Sequence, residues 1–229
     1  MPMVQCREVT KVYRQGEVEV KALRGVDLDV EAAEFMALAG PSGSGKTTLL
    51  NMIGGLDRVT SGTIRMNGNE ITSMSQTELS EMRLRKIGFV FQAYNLIPVL
   101  TAIENVEFVL MLQGMGRNER VERAEQMLKE VGLEEELHRR PAELSGGQQQ
   151  RVAVARAIVS RPAVVLADEP TANLDSKNGE RLLDIMEALN DRHKVTFVFS
   201  THDKMVMERA RRVVRLRDGA VSDDVLKSH

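Results

Sequence analysis

The run Gly40-Pro41-Ser42-Gly43-Ser44-Gly45-Lys46-Thr47-Thr48 has the composition and order of a loop that holds polyphosphate. The pattern is G-x-x-x-x-G-K-[ST], and it carries that meaning only between a strand and a helix. Both flanks qualify. Phe35 to Ala39 is an apolar run of buried-strand length, and Thr47 to Ile53 contains no breaker before Gly54 and Gly55. Gly43 and Gly45 let the backbone curl so that successive N–H groups point inward. The start of the helix adds the positive end of its dipole. On this pattern Lys46 reaches the β- and γ-phosphates and the Thr47 hydroxyl ligates Mg2+. A nucleoside triphosphate is the expected ligand. The alternative is a Gly/Ser-rich surface turn before a helix.

Other polar residues follow apolar runs in the same way. Asp168 and Glu169 come after Val164-Val165-Leu166-Ala167. A carboxylate at the end of a buried strand, beside a phosphate loop, is placed to hold Mg2+ or its waters, and this is assigned to Asp168. Glu169 is expected to point the other way along the strand, where it can orient and activate an attacking water. The alternative for both is a capping pair before Pro170. His202 can fix a γ-phosphate and the geometry of Glu169, or simply end a strand. Gln92, after Ile87 to Phe91, can touch Mg2+ or water. Tyr13 is placed at the turn after the first strand, ahead of Gln15 and Gly16. It can stack on a purine, or be a half-exposed strand-end residue.

Leu144-Ser145-Gly146-Gly147-Gln148 is a second glycine-containing helix start, an anion site by the same physics. It has no lysine and no Asp–Glu strand of its own. The chain thus holds one complete phosphate loop and one incomplete phosphate-binding edge. A two-fold dimer resolves this, with the Ser145–Gly147 edge of each copy closing over the nucleotide of the other. A plain cap at Ser145 explains the serine but not the two glycines.

These residues must be carried by particular elements. Positions 3 to 35 read as strands, with Val26, Leu28 and Val30 alternating against Asp27, Asp29 and Glu31. A short strand, Thr63 to Met66, closes at Asn67-Gly68, a hairpin signal. Residues 76 to 86 read as a helix containing Leu79, Met82 and Leu84, and Ile87 to Phe91 as a buried strand. From Ala93 to about Ser160 strand signals vanish. Thr101 and Glu104 form a capping box for one helix, Arg117 to Val131 makes a second, and Gln148 to Val159 a third. Strand and helix then alternate again, through Ala163–Ala167, Leu182–Leu189 and Val195–Phe199 to a last strand at Val213–Leu216. Alternation implies a mostly parallel sheet with ligands at the strands' C-terminal ends.

Composition limits the partners. Hydrophobic residues make up 42% and charged residues 28% of the 229, which is ordinary for a globular chain. A net charge of −2 gives no electrostatic case for nucleic acid. The arginines from Arg209 to Arg217 alternate with apolar residues and read as a solvated face. No apolar run is long enough to span a bilayer. The N-terminus lacks an apolar signal core, and the single cysteine, Cys6, excludes an internal disulfide and reads as a buried small hydrophobe.

Taken together, GPSGSGKT at 40–47, LSGGQ at 144–148, VVLADEP at 164–170 and STHD at 200–203 resemble the ATP-binding subunit of an ABC transporter over essentially the whole chain. Tyr94-Asn95-Leu96-Ile97-Pro98 and the Thr101–Val106 segment, together with Asn173 and Ala167, further resemble the lipoprotein-release, macrolide-export and cell-division group of such subunits. The departures are Asn173 in Ala172-Asn173-Leu174-Asp175, where many members have Ser or Gly, and a small Ala167 before Asp168. The resemblance implies an α/β P-loop NTPase (RecA-like) core with an N-terminal antiparallel β-subdomain and an inserted α-helical subdomain. The implied division is 1–92 with 161–229 for core and β-subdomain, and 93–160 for the helices. It implies ATP and Mg2+ as ligands, Tyr13 as the adenine platform and Gln92 as the link to a membrane subunit. That subunit would dock in the apolar cleft beside Tyr94 to Val106, near Met111 and Met115. The implied state is a homodimer when ATP is bound, cytoplasmic and peripheral on the inner face of the cell membrane. The implied partner is an exporter-type permease, or else a membrane protein of the cell-division type that transports nothing.

Overall fold

The computed structural model describes residues 1–16 and 18–227. Period-two sequence at the N-terminus forms β1 (Val4–Gln15) and β2 (Val18–Val30), paired antiparallel with several register shifts. β2 is one continuous strand within the stretch 3 to 35 expected to be strand. Tyr13 lies inside β1, opposite Val20, rather than at the turn. With β4 (Ser61–Met66) and β5 (Asn69–Glu70) they make a four-stranded antiparallel sheet in the order β2-β1-β4-β5.

The second sheet has six strands. It takes β3 (Phe35–Ala39), β6 (Ile87–Val90), β7 (Val164–Asp168), β8 (Thr196–Thr201), β9 (Arg212–Arg217) and β10 (Ala220–Leu226) in the order β10-β9-β3-β8-β7-β6. All neighbours are parallel except β10 on β9. β10 is an element beyond the expected last strand.

Helices α1 (Lys46–Ile53), α2 (Gln76–Lys86), α3 (Ala102–Leu112), α4 (Arg117–Glu130), α5 (Gly146–Ile158), α6 (Ser176–His193) and α7 (Lys204–Arg209) complete the described chain. Between β6 and β7 the described chain is helical or irregular only. Thr101 and Glu104 form the expected capping box on α3. α2 buries only Leu79 of its expected face, and α7 was not anticipated.

Strands β3, β8, β7 and β6 of the six-stranded sheet are buried on both faces, which splits the core in two, whereas β10 at the sheet's edge is exposed. Phe35, Ala37, Val165, Ala167, Phe197 and Phe199 face a cluster shared with α3 to α6. Met36, Leu38, Val164, Leu166 and Val198 face a cluster shared with α1 and the antiparallel sheet. The Phe35 and Phe199 rings meet edge to face with centroids 4.7 Å apart. This rigid two-layer support holds the sheet's edge.

Candidate active site

Because β6, β7, β8 and β3 are adjacent and parallel, the segments leaving their C-terminal ends share one edge. Gln92, Asp168 with Glu169, His202 and the loop from Gly40 therefore stand side by side in that order.

The loop is held tightly. Gly40 has φ 149°, and a Cβ there would stand 2.3 Å from the Leu216 carbonyl oxygen. Gly45, at φ 102°, would put a Cβ 2.7 Å from the Ala22 carbonyl oxygen. The β9–β10 turn props the loop, since the Gly219 N–H donates to the Ser44 carbonyl at 3.1 Å. Lys46 is buried, and its ammonium donates to the carbonyls of Gly40 (2.9 Å) and Pro41 (3.1 Å). No carboxylate pairs with it among the described residues. Among the described residues the buried Ser44 hydroxyl has no hydrogen-bond partner. α1 has no side-chain cap and no acidic residue in its first turn. A buried cation without a counter-ion, an orphaned hydroxyl and an uncapped helix start together suit an anion.

Thr47 donates its hydroxyl to Asp168 Oδ1 at 3.0 Å. Two hard oxygen donors from separate elements meet beside that anion site, which fits Mg2+, a cation usually bound through one or two side chains plus phosphate. Among the described residues no group of three His, Cys, Asp or Glu side chains is placed to hold a metal ion.

Glu169 differs from expectation in one respect. The strand ends at Asp168, and Glu169 turns at φ 45°, with its N–H on the Ser200 carbonyl at 2.9 Å. Its direction is set by that left-handed turn, not by strand alternation. Its Oε2 accepts from Thr201 Oγ1 at 3.0 Å, and its Oε1 is 2.6 Å from His202 Nδ1. His202 and Thr201 together hold both carboxylate oxygens.

Two residues without an assigned role join the pieces. Gln150 is fully buried on α5. Its amide donates to the carbonyls of Pro170 (2.7 Å) and Phe91 (3.3 Å), next to Glu169 and Gln92. Asn173 donates to the Gln92 carbonyl at 2.9 Å. The sequence signal for Gln150 was a polar residue in helical phase with the buried Val154 and Ala157.

Tyr13 is half-exposed. Its hydroxyl donates to Asp57 Oδ2 at 2.9 Å. Burial and Asp57 raise the phenol's pKa, while the nearby Thr48 hydroxyl opposes them. That places the ring beside the loop's helix.

The second glycine edge is exposed at Ser145 and shares no hydrogen bond with residues 40–48. α5 starts at Gly146, two residues earlier than expected, with Ser145 as its cap. Ser145 Oγ accepts from the Gln148 N–H, and the Gln148 side chain is engaged at both ends, with the Ser145 N–H and with Glu136. Neither glycine has positive φ. A Cβ at Gly146 would come 2.8 Å from the Tyr94 hydroxyl, and one at Gly147 3.0 Å from Asn178 Oδ1.

Beside Gln92, the stacked rings of Phe89 and Phe91 (centroids 5.7 Å apart) border a cleft of about 440 Å³ with Leu56, Leu84, Val109 and Arg156. Arg156 donates to the carbonyls of Tyr94 and Asn95 and so holds the cleft's rim. Val99, Met111 and Leu112 are exposed nearby in sequence, whereas Met115 packs partly on the core.

A family model described as ABC transporter matches residues 23–172. The chain is 49% identical over 214 residues to an uncharacterized ABC transporter ATP-binding protein of Thermotoga maritima, covering 93% of this chain and 91% of that protein. It is 46% identical over 226 residues to the macrolide export ATP-binding/permease protein MacB of Syntrophobacter fumaroxidans, covering 98% of this chain but only 32% of that protein. It is also similar to the dimeric structure of a post-hydrolysis state of the ATP-binding cassette MJ0796 bound to ADP and Pi. There the TM-score is 0.91 at 43% identity, covering 99% of this chain and 100% of that one. The chain belongs to the ABC transporter family, as an ATP-binding, ATP-hydrolysing subunit.

Proposed function

We propose that two copies of this chain close head to tail on two ATP molecules, and that closing drives a separate membrane subunit of export type. The observation that carries this reading is the pairing of one complete phosphate cradle with one solvent-facing, unconnected glycine edge at Ser145–Gly147. The dimeric MJ0796 cassette supports it. The macrolide-export relatives, of which this chain spans about a third, support a membrane partner.

Each residue's task follows from its surroundings. Tyr13 stacks the base. The N–H groups of residues 40–48 and the α1 dipole bind the phosphates. Lys46 exchanges its two loop carbonyls for phosphate oxygens, a stronger charge-assisted bond. Thr47 and Asp168, with Gln92, would hold Mg2+, which when bound neutralises charge on the phosphate oxygens. Glu169, held by Thr201 and His202, takes a proton from the attacking water. The partner copy's phosphates meet Ser145, Gly146 and Gly147. Gln148 acts by shaping that cap, since its amide is already engaged. Gln92 relays closure to the Phe89–Phe91 cleft, where the membrane subunit docks. The domain division 1–92 with 161–229 and 93–160 would let the helical part move on the core. The chain works in the cytoplasm, on the inner face of the membrane.

Glu169→Gln tests this. Removing a general base typically costs about 10²- to 10⁴-fold in rate. The variant is expected to lose hydrolysis and to sediment as a dimer in ATP. A monomer at saturating ATP overturns the shared site.

A further inference from the structure

Tyr13 sits where β1 and β2 run out as a two-stranded ribbon whose outer positions, Arg14 and Val18 to Val20, are all exposed. Such a ribbon has no face packed on a core near its tip and is marginal by itself. A ring carried there needs a further anchor if it is to stay beside the start of α1, near Thr48. The anchor on this chain is the segment just after α1. Lys11 donates to Asp57 Oδ1 at 2.8 Å and to the Arg58 carbonyl at 2.7 Å. The Thr60 N–H donates to the Thr10 carbonyl and the Val12 N–H to Thr60 Oγ1. Asp57 Oδ2 takes the Tyr13 phenol.

Asp57 therefore holds two side chains of one strand face at once. Burial alone would raise its pKa, yet the bonds from Lys11, the Arg58 N–H and Tyr13 outweigh burial and lower it, so it is the ionised acceptor both donors need. The Lys11 ammonium stands 4.8 Å from the Tyr13 ring centroid, over one face. Only the opposite face is left for a base. Asp57 also follows, by a few residues, the helix that the phosphate loop opens. The platform and the phosphate cradle are thereby tied to one rigid piece of chain.

We propose that Asp57 is a positioning residue for the nucleotide base, fixing the tilt of the Tyr13 ring and, through Lys11, the single face on which the base stacks. This rests on the reading of Tyr13 as the base platform. Aromatic stacking of a base is worth about 1–3 kcal/mol, or roughly 5- to 150-fold. Loss of the ring's orientation should remove part of that.

The test measures ATPase kcat and KM for wild type, Y13A, Y13F, D57A, D57N and the double variant D57A/Y13A. It also measures the inhibition constant of inorganic tripolyphosphate, which has no base. Y13A should raise the KM for ATP about tenfold. D57A and Y13F, which remove the same hydrogen bond from its two ends, should each raise it about three- to fivefold with kcat held near wild type. D57N leaves one acceptor oxygen for the two donors and no charge for Lys11, so it should raise KM nearly as much as D57A. In the Y13A background D57A should add little, and no single variant should change tripolyphosphate inhibition. If D57A weakens tripolyphosphate binding as much as ATP, or acts equally with and without Tyr13, Asp57 supports the loop and the proposal fails. If Y13A raises KM but D57A and Y13F do not, the proposal alone fails. If Y13A itself leaves KM unchanged, the platform reading fails and takes the proposal with it.

Discussion

Replacing Gly147 by alanine separates what the fold needs from what the nucleotide needs. Gly147 is the second residue of α5 and has ordinary helical backbone, so no conformational reason demands glycine. Alanine in a helix is favoured over glycine by about 0.5–1 kcal/mol. Against this, the new Cβ would stand 3.0 Å from Asn178 Oδ1 and 3.1 Å from its Cγ. Asn178 is exposed, and its amide is tied to Asp175 Oδ2 at 2.6 Å. Moving it aside forfeits at most one surface hydrogen bond, about 0.5–1.5 kcal/mol. The two effects nearly cancel, and G147A should unfold within about 1 kcal/mol of wild type. ATP binding to the isolated chain should also be unchanged, because the loop at 40–48 shares no hydrogen bond with this edge. Turnover should nonetheless fall more than about tenfold, since a methyl group now fills the face that approaches the partner's phosphates and even one lost charge-assisted bond is worth that much. Denaturant unfolding, nucleotide binding and steady-state ATPase on one preparation give all three readings. Wild-type turnover, or a stability loss above about 2 kcal/mol that accounts for the activity loss, would refute the claim that these glycines are there for a second copy.

Three further outcomes follow from single environments. Gln150→Leu leaves the buried carbonyls of Phe91 and Pro170 without their donor, while it also removes the orphaned Oε1 of the glutamine. A net loss of about 1–2 kcal/mol is expected in chemical unfolding, with kcat falling and KM for ATP nearly unchanged. Cys6 is fully buried and burial pushes its thiol up to about 12, so it should resist an aromatic disulfide reagent at pH 8 in the native protein and react at once in denaturant. Asp224 is held below the usual aspartate range by the Arg212 guanidinium. A depressed folded pKa contributes stability above the unfolded value that is lost as pH falls through the folded one. The stability gap between wild type and D224N should therefore be constant at neutral pH and narrow as the solution is acidified below the ordinary aspartate range.

The parts of the site legible in the sequence were those whose meaning is local. Gly40 to Thr48 needs only a strand before it and a helix after it, and β3 and α1 supply both. The capping box at Thr101, closed by Glu104 three residues on, was equally open to reading, whereas at Ser145 the sequence offered only a plain cap and the helix begins on its glycines. What stayed hidden depends on pairing across the chain. β10, Ala-Val-Ser-Asp-Asp-Val-Leu, is a poor strand by composition. It becomes one because Asp224 and Asp223 meet Arg212 and Arg215 across the β9 ladder. Among the arginines from 209 to 217, which the sequence presents as a solvated face, Arg215 and Arg217 are exposed, while Arg209 and Arg211 pair with Asp184, Glu187 and Asp191 of α6 and Arg212 also with Glu34. The β9–β10 turn then props the phosphate loop through Gly219. A single sequence contains no register, so neither the strand nor its support of the loop could be derived from it.

Glu169 shows how a proposed separation of roles can rest on the wrong geometry. Alternation along an extended strand would have parted it from Asp168, but the chain has already left the strand. At φ 45° a residue with a Cβ is strained by about 1–2 kcal/mol relative to ordinary conformations. Glycine would relieve that strain, and asparagine would lessen it. A turn selected only to connect β7 to the residues after it would therefore favour one of those. The glutamate is instead pinned by its N–H on Ser200 and by Thr201 and His202 on its two carboxylate oxygens, all from the next strand or its immediate end. Three contacts over-determine an unfavourable backbone, and they direct the carboxylate at the same sheet edge as Lys46, Thr47 and Asp168. Seven other non-glycine residues among those described also have positive φ, so strain by itself singles out no base; the proposed role of Glu169 rests on where Thr201 and His202 hold its carboxylate.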